Sequence, residues 1–220
     1  DWPIPGEVLP QNIGTMKWDG KIPFKHTEKL SIKRSDDFDE DCLAPQWQWN
    51  YQPRKDYFSL TERPGWLRLK AYRPLETNNL LKAGNTLTQR TFRKQNNDVT
   101  IKMDISNMQD GQKNGLCHFS SQHSAIGIVK EEDACYLEYR KNGNITKGIQ
   151  IHSEFVWFRT EWGMDGKSQY YYSLDGDNFL PFGEKYQLTW GNYRGDRIGI
   201  YCFNDKKETG SVDVDYCHYR

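Results

Sequence analysis

Apolar and polar residues alternate in two-residue steps along this chain, in short runs that each end at a turn signal. Val99, Ile101, Met103 and Ile105 take one parity, while Thr100, Lys102 and Asp104 take the other. Side chains of a strand point alternately to its two faces, so this run describes a strand half buried in a core. Leu67 and Leu69 repeat the pattern against Arg68 and Lys70 after a Pro64-Gly65 turn, and Trp47 and Trp49 share one face ahead of it. Strand runs recur at 116–119, 126–129, 136–140, 155–162, 170–174, 198–203 and 212–219. Asn142-Gly143 and Asp175-Gly176 supply hairpin turns. No window carries the 3.6-residue apolar stripe of a helix. Short strands separated by turns predict an all-β antiparallel β-sandwich.

Residues 1–35 lack this periodicity. Asp1-Trp2-Pro3-Ile4-Pro5-Gly6 and Ile22-Pro23-Phe24 are punctuated by proline and glycine, the habit of an extended arm or linker. The expected division is an N-terminal arm over 1–35 and a sandwich over 36–220. Thirty Lys and Arg balance thirty Asp and Glu, which leaves no net field to attract nucleic acid or anionic lipid. No apolar run approaches the roughly 20 residues of a membrane span. A neutral polysaccharide is compatible with that balance. Eight Trp and thirteen Tyr supply flat apolar faces with polar tips, which suit a sugar-binding surface as well as a sandwich core. The five cysteines show no C-x-x-C spacing, which argues against a zinc ribbon or a redox motif. Cys117, Cys135 and Cys202 fall inside apolar strand patterns and read as buried thiols.

Catalytic signatures are missing. Glycoside hydrolysis needs two carboxyl groups flanking the bond to be broken, and sandwich-fold glucanases carry theirs on one strand as E-x-D-x-E or E-x-D-x-x-E. The nearest run here, Glu131-Glu132-Asp133-Ala134-Cys135, breaks at the last acid. There is no G-x-S-x-G, no glycine-rich phosphate loop and no H-E-x-x-H. The five histidines are scattered along the chain.

An ordered set of motifs adds to this reading. Asp36-Asp37-Phe38-Asp39, Trp47-Gln48-Trp49-Asn50 and the run from Ser59 to Leu69 follow one another closely. Gly115-Leu116, Ile126-Gly127-Ile128 with Lys130, Phe158-Arg159, the run from Tyr172 to Phe179, and Val212-Asp213-Val214-Asp215-Tyr216 come later. Together they resemble the C-terminal concanavalin A-like jelly roll that lies behind the catalytic propeller of family-43 glycoside hydrolases, the β-xylosidases and arabinofuranosidases. The first residues resemble the segment that leads out of that propeller. The resemblance implies a non-catalytic accessory module with two partners: a preceding catalytic propeller and a plant cell-wall polysaccharide of the xylan or arabinoxylan type. It also implies a secreted, periplasmic or cell-surface setting. The competing class is an independent sandwich hydrolase or a lectin.

Candidate site residues follow from parity set against the resemblance. The family's core positions fall on Phe158, Thr160 and Trp162, which turns Trp157, Arg159 and Glu161 outward, and the same logic turns Tyr171 outward between Tyr170 and Tyr172. Trp157, Arg159 and Tyr171 are therefore expected to share one face, with Trp49, Asn50 or Tyr51 nearby. That face either binds glycan or packs against a neighbouring domain. Trp47 and Trp66 are expected in the core. In some family members a sandwich loop reaches the catalytic pocket, and Ser121-Gln122-His123-Ser124-Ala125 is the corresponding candidate. His123 there either contacts sugar or is merely solvated. A structural calcium is a further expectation, with Asp37 or Asp39 and Asp213 or Asp215 as ligands; the same four also read as ordinary exposed strand carboxylates.

Overall fold

The computed structural model describes residues 33–189, 191 and 195–220. Residues 1–32 of the expected arm lie outside the described residues. Lys33–Arg220 forms one compact unit, and its strands, in chain order, are β1 (Gln48–Trp49), β2 (Phe58–Ser59), β3 (Leu67–Lys70), β4 (Thr86–Arg90), β5 (Asn97–Asp104), β6 (Gln112–Phe119), β7 (His123–Glu131), β8 (Ala134–Lys141), β9 (Asn144–Ile151), β10 (Phe155–Trp162), β11 (Lys167–Ser173), β12 (Leu180–Pro181), β13 (Tyr186–Gln187), β14 (Arg197–Asn204) and β15 (Ser211–Tyr219). Among the described residues no α-helix forms; two single 3₁₀ turns lie at Lys55–Tyr57 and Leu80–Lys82.

The strands build two antiparallel sheets. One runs β1-β4-β14-β6-β7-β8-β9; the other runs β12-β11-β10-β5-β15-β3-β2, with β13 also paired to β11. Alternation sets which side chains meet between them. Leu67, Leu69, Val99, Ile101, Met103 and Phe158 face inward from the eight-stranded sheet, each fully buried. Leu87, Leu116, Ile126, Ile128, Leu137 and Ile200 meet them from the seven-stranded sheet. Burying each such side chain is worth about 1.5–3 kcal/mol, so the sandwich interior is the main source of stability. The Asn142-Gly143 turn takes φ of 48° and 90°, as a two-residue hairpin between β8 and β9 requires.

The outer face of the seven-stranded sheet is covered as well. Residues 75–83 lie across it, and Leu80, wholly buried, joins Ala83, Cys117, Phe119, Ala125, Tyr201 and Phe203 in a second apolar cluster. Tyr201 fits there because Gly115 and Gly127 pair across β6 and β7. A Cβ on Gly127 would strike both the Asn114 carbonyl and the Tyr201 hydroxyl.

Three expectations are corrected. Trp66 is half-buried outside the core, with the Arg63 guanidinium 3.8 Å above its ring and Phe155 6.4 Å away. Its indole lies under Arg63 of the same turn, with Lys102 Nζ of β5 lying 5.1 Å from the ring. The expected loop Ser121–Ala125 is mostly strand, because β7 begins at His123 and only residues 120–122 turn. Cys135 is half-buried at the core margin rather than inside it. Trp47 is core, as expected, and its Nε1 donates to Asp36 Oδ2 at 2.7 Å.

Candidate functional site

Parity places Trp157, Arg159 and Tyr171 as expected, on the outer face of the eight-stranded sheet. Arg159 is paired with Tyr171 across β10 and β11, and Trp157 with Lys102 across β10 and β5. All three are half-buried. A sugar ring stacks only on an open aromatic face, and here the rings have partners. Gly176 sits against the Trp157 indole, so that a Cβ there would lie 3.1 Å from it. Lys102 Nζ lies 5.1 Å from the Trp66 ring, 5.3 Å from Phe155 and 5.7 Å from Trp157. Arg159 spreads its guanidinium over Phe179 at 3.7 Å and donates from Nε to Thr100 Oγ1. Burial, with Glu161 beside it, raises the Tyr171 phenol's pKa. Cations of the chain thus cover Trp66 and Phe179 on this face, while Trp157 and Tyr171 stay part-exposed.

Trp49 and Asn50 lie elsewhere, on β1 of the other sheet and just after it. The Trp49 ring meets Phe58 at 4.7 Å. Asn50 is buried and donates from Nδ2 to the carbonyls of Leu81 and Ala83, which ties residues 75–83 to the start of the sandwich. Beside them opens a cleft of about 1030 Å³, walled by Trp49, Tyr51, Leu81, Phe119, Ser121 and Arg197. Leu81 and Ser121 also border an adjoining polar hollow of about 480 Å³ that contains Asn79, Gln122, His123 and Asn142. The structure thus gathers Trp49, Asn50 and His123 along one end of the seven-stranded sheet, and separates them from Trp157, Arg159 and Tyr171. Sequence reasoning missed Phe119 and Arg197, which reach the cleft from β6 and β14.

His123 is 93% buried, and its Nδ1 has no hydrogen-bond partner among the described residues. Burial, reinforced by the Arg140 charge, pushes its pKa down to about 4, so the imidazole is neutral at ordinary pH. The hollow's three amide side chains, Asn79, Gln122 and Asn142, carry both donors and acceptors. Phe119 pairs with His123 across β6 and β7, while Trp49 and Tyr51 line the neighbouring cleft.

The carboxylates are arranged differently from those of a glycosidase. Asp104 and Asp213 face each other across β5 and β15. Arg63 Nη1 donates to both, at 2.6 and 2.9 Å, and Arg68 Nε donates to Asp213 Oδ1 at 2.7 Å. Hydrogen bonds from Ser106 and Arg63 outweigh burial and hold the Asp104 carboxyl below its ordinary range. A general acid needs the opposite, a carboxyl that keeps its proton. The four aspartates expected for calcium do not fit a metal either. Asp37 pairs with His218, and Asp215 with Lys102, while Asp213 is neutralised by its two arginines. His218 and Asp213 are five residues apart on β15, about 16 Å of strand, whereas calcium ligands all lie about 2.3–2.6 Å from one centre. Among the described residues no group of three or more His, Cys, Asp or Glu could hold a metal ion.

Two antiparallel sheets packed face to face, with the polar and aromatic groups gathered at one end, define a concanavalin A-like module. Residues 35–220 match the family model of the β-xylosidase C-terminal concanavalin A-like domain, and the chain belongs to that family. A β-xylosidase of Formosa agariphila is 34% identical across 99% of this chain. The chain spans about two fifths of the length of the curated relatives it matches, 40% and 36% in two of them. Among solved structures, a bifunctional GH43-CE protein of Bacteroides eggerthii superposes with a TM-score of 0.77 at 29% identity, over 84% of this chain and 25% of that one. A GH43 protein of Bacillus licheniformis, at 23% identity and a TM-score of 0.74 over 88% of this chain and 40% of that one, shares the fold.

Proposed function

We propose that this chain is the non-catalytic accessory module of a β-xylosidase-type hydrolase, and that its cleft end contacts xylan- or arabinoxylan-type glycan beside a preceding catalytic propeller. The observation that carries this reading is the match of residues 35–220 to a C-terminal domain, in a chain that spans only 40% of a related β-xylosidase. The arginine-bound carboxylates support the non-catalytic part. The aromatic cleft and its polar hollow support the glycan part. A buttressing role is the second reading. The cation-covered rings of Trp66 and Phe179 beside Trp157 favour it, because rings already covered suit a rigid support better than a sugar platform.

Affinity electrophoresis in xylan gels separates the two. Trp49→Ala should weaken retardation by about 1 kcal/mol, the lower end of aromatic stacking on a planar ring, while Trp157→Ala should leave it unchanged. Retardation lost in Trp157→Ala alone would move the glycan to the eight-stranded sheet; no retardation of the parent protein would leave only the buttress. The chain by itself should not hydrolyse aryl xylosides, and turnover abolished by a carboxylate substitution would overturn the non-catalytic reading.

A further inference from the structure

The polar hollow that adjoins the aromatic cleft differs from it in chemistry. Its volume of about 480 Å³ falls within the roughly 300–1,000 Å³ of small-molecule sites. Asn78, Asn79, Gln122 and Asn142 line it with Ser121 and His123, and no charged side chain among the described residues does so. The amides are fixed before any ligand arrives. Asn78 Oδ1 accepts from Arg140 Nη1 at 2.8 Å and from Lys113 Nζ at 3.0 Å. Asn79 Oδ1 accepts from the Leu81 amide at 3.0 Å. Asn142 Oδ1 accepts from the His123 amide at 3.0 Å, and its Nδ2 donates to Gln122 Oε1 at 3.2 Å. An amide side chain has two N–H donors and two oxygen lone pairs, so these bonds orient Asn142 and Gln122 and still leave N–H groups over. Gln122 Nε2 has no partner among the described residues. The cations that hold Asn78 are themselves matched, Arg140 by Glu138 and Lys113 by Asp205. His123 is 93% buried, its Nδ1 lacks a partner among the described residues, and burial with the Arg140 charge keeps its ring neutral at ordinary pH. An anion entering here would shed its hydration and meet no charged partner on the described walls, whereas a hydroxyl meets donors and acceptors.

We propose that this hollow is a subsite for one neutral sugar unit, carried as a branch on a glycan whose main chain lies in the aromatic cleft. This deepens the glycan reading above and rests on it. Leu81 and Ser121 border both spaces, so a branch that leaves the cleft at that border enters the hollow. Each space suits a different part of such a ligand. In the cleft, Trp49, Tyr51 and Phe119 offer apolar area to sugar rings. In the hollow, recognition runs through hydrogen bonds to hydroxyls, which suits a small unit with little flat apolar face. A uronic acid is selected against, because its carboxylate would sit among uncharged amides. Gln122 and Asn142, with N–H groups to spare, are the specificity-determining residues.

Titration calorimetry on the full chain tests this with three probes: xylotetraose, xylotetraose carrying one arabinofuranosyl branch, and xylotetraose carrying one glucuronosyl branch. The parent should bind the arabinosyl-branched probe roughly tenfold more tightly than the other two, the gain of about one or two net hydrogen bonds. Gln122→Ala and Asn142→Asp should each cut that advantage to about twofold or less, with the affinity for the unbranched probe unchanged. Gln122 lies exposed in the turn before β7, so its truncation spares the fold. Asp at 142 keeps an acceptor for the His123 amide and tolerates the φ of 48°, and melting curves check that both variants remain folded. Trp49→Ala should weaken all three probes alike. Equal binding of branched and unbranched probes by the parent, or an arabinosyl advantage that survives both variants, would refute the subsite and leave the cleft standing. Tightest binding of the glucuronosyl-branched probe would refute its preference for a neutral unit. A parent that binds none of the three would overturn the glycan reading itself, and the subsite with it.

Discussion

Lowering the pH from 7 to 5 should destabilise the sandwich through two buried imidazoles. His118 lies wholly inside, edge-on to Trp162 at 5.3 Å and facing Tyr186 at 6.3 Å. Its Nε2 is 2.9 Å from Thr160 Oγ1, its Nδ1 has no partner among the described residues, and its backbone amide donates to the Tyr170 hydroxyl. Nothing around it accepts a second proton. Burial pushes its pKa down to about 3, and that of His123 falls to about 4. In the unfolded chain both take up a proton near their ordinary pKa of about 6.5. The stability they contribute is complete above about pH 6.5 and is lost as pH falls toward the folded-state values. At about 1.36 kcal/mol per pKa unit, pH 5 costs about 2 kcal/mol for each histidine and about 4 for the pair. That is a large part of the roughly 5–15 kcal/mol that holds a typical domain together. Carboxylates held below their ordinary range, such as Asp104 and Glu62, release stability only at lower pH, so the window from 7 to 5 isolates the imidazoles. Urea unfolding followed by tryptophan fluorescence at pH 7, 6 and 5 measures the loss. His118→Gln keeps a polar partner for Thr160 without a titrating group, and should reduce the loss by about half. An identical loss in the parent and in this variant would refute the argument.

Asp213→Asn should cost about 3 kcal/mol in chemical denaturation, because Arg63 and Arg68 would be left pointing at an uncharged group; a change below 1 kcal/mol would show that solvent screens the network. Gly127→Ala should lower stability by at least about 3 kcal/mol, or prevent soluble expression, since β6 and the Tyr201 ring have no room for a methyl group. Melting curves with and without a chelator should coincide, given the scattered partners of Asp37, Asp213 and Asp215. A fall in melting temperature on chelation would restore a metal to the fold.

Much of the architecture was legible because burial on one face leaves a periodic trace. The run Phe155–Trp162 is β10 to the residue, with Phe158, Thr160 and Trp162 inward. The strands that escaped notice lack that trace for different reasons. Nearly all of β9 is exposed at the edge of its sheet, so Ile145 and Ile149 alternate with nothing buried. In β4 the opposite holds: Thr86 is buried against Ala83 and Thr88 against Gln48 and Arg197, and a strand covered on both faces shows no polar parity. The site was harder. Whether Trp157 keeps an open face depends on Lys102 and Gly176, which are distant from it in sequence. Trp49 and His123 line adjoining hollows of one sheet, although β1 and β7 lie four strand steps apart in it.

The segment 75–83 has a consequence for any polymer that approaches. With Leu80 set into the outer face of the seven-stranded sheet, and Asn78 receiving hydrogen bonds from Arg140 and Lys113, the middle of that sheet is filled. A long glycan cannot lie along the strands there, as on a track. Beside it the cleft walled by Trp49, Tyr51, Phe119 and Arg197 stays open. A polymer seated in that cleft would be met at a terminus or a branch, with the rest of its length outside it.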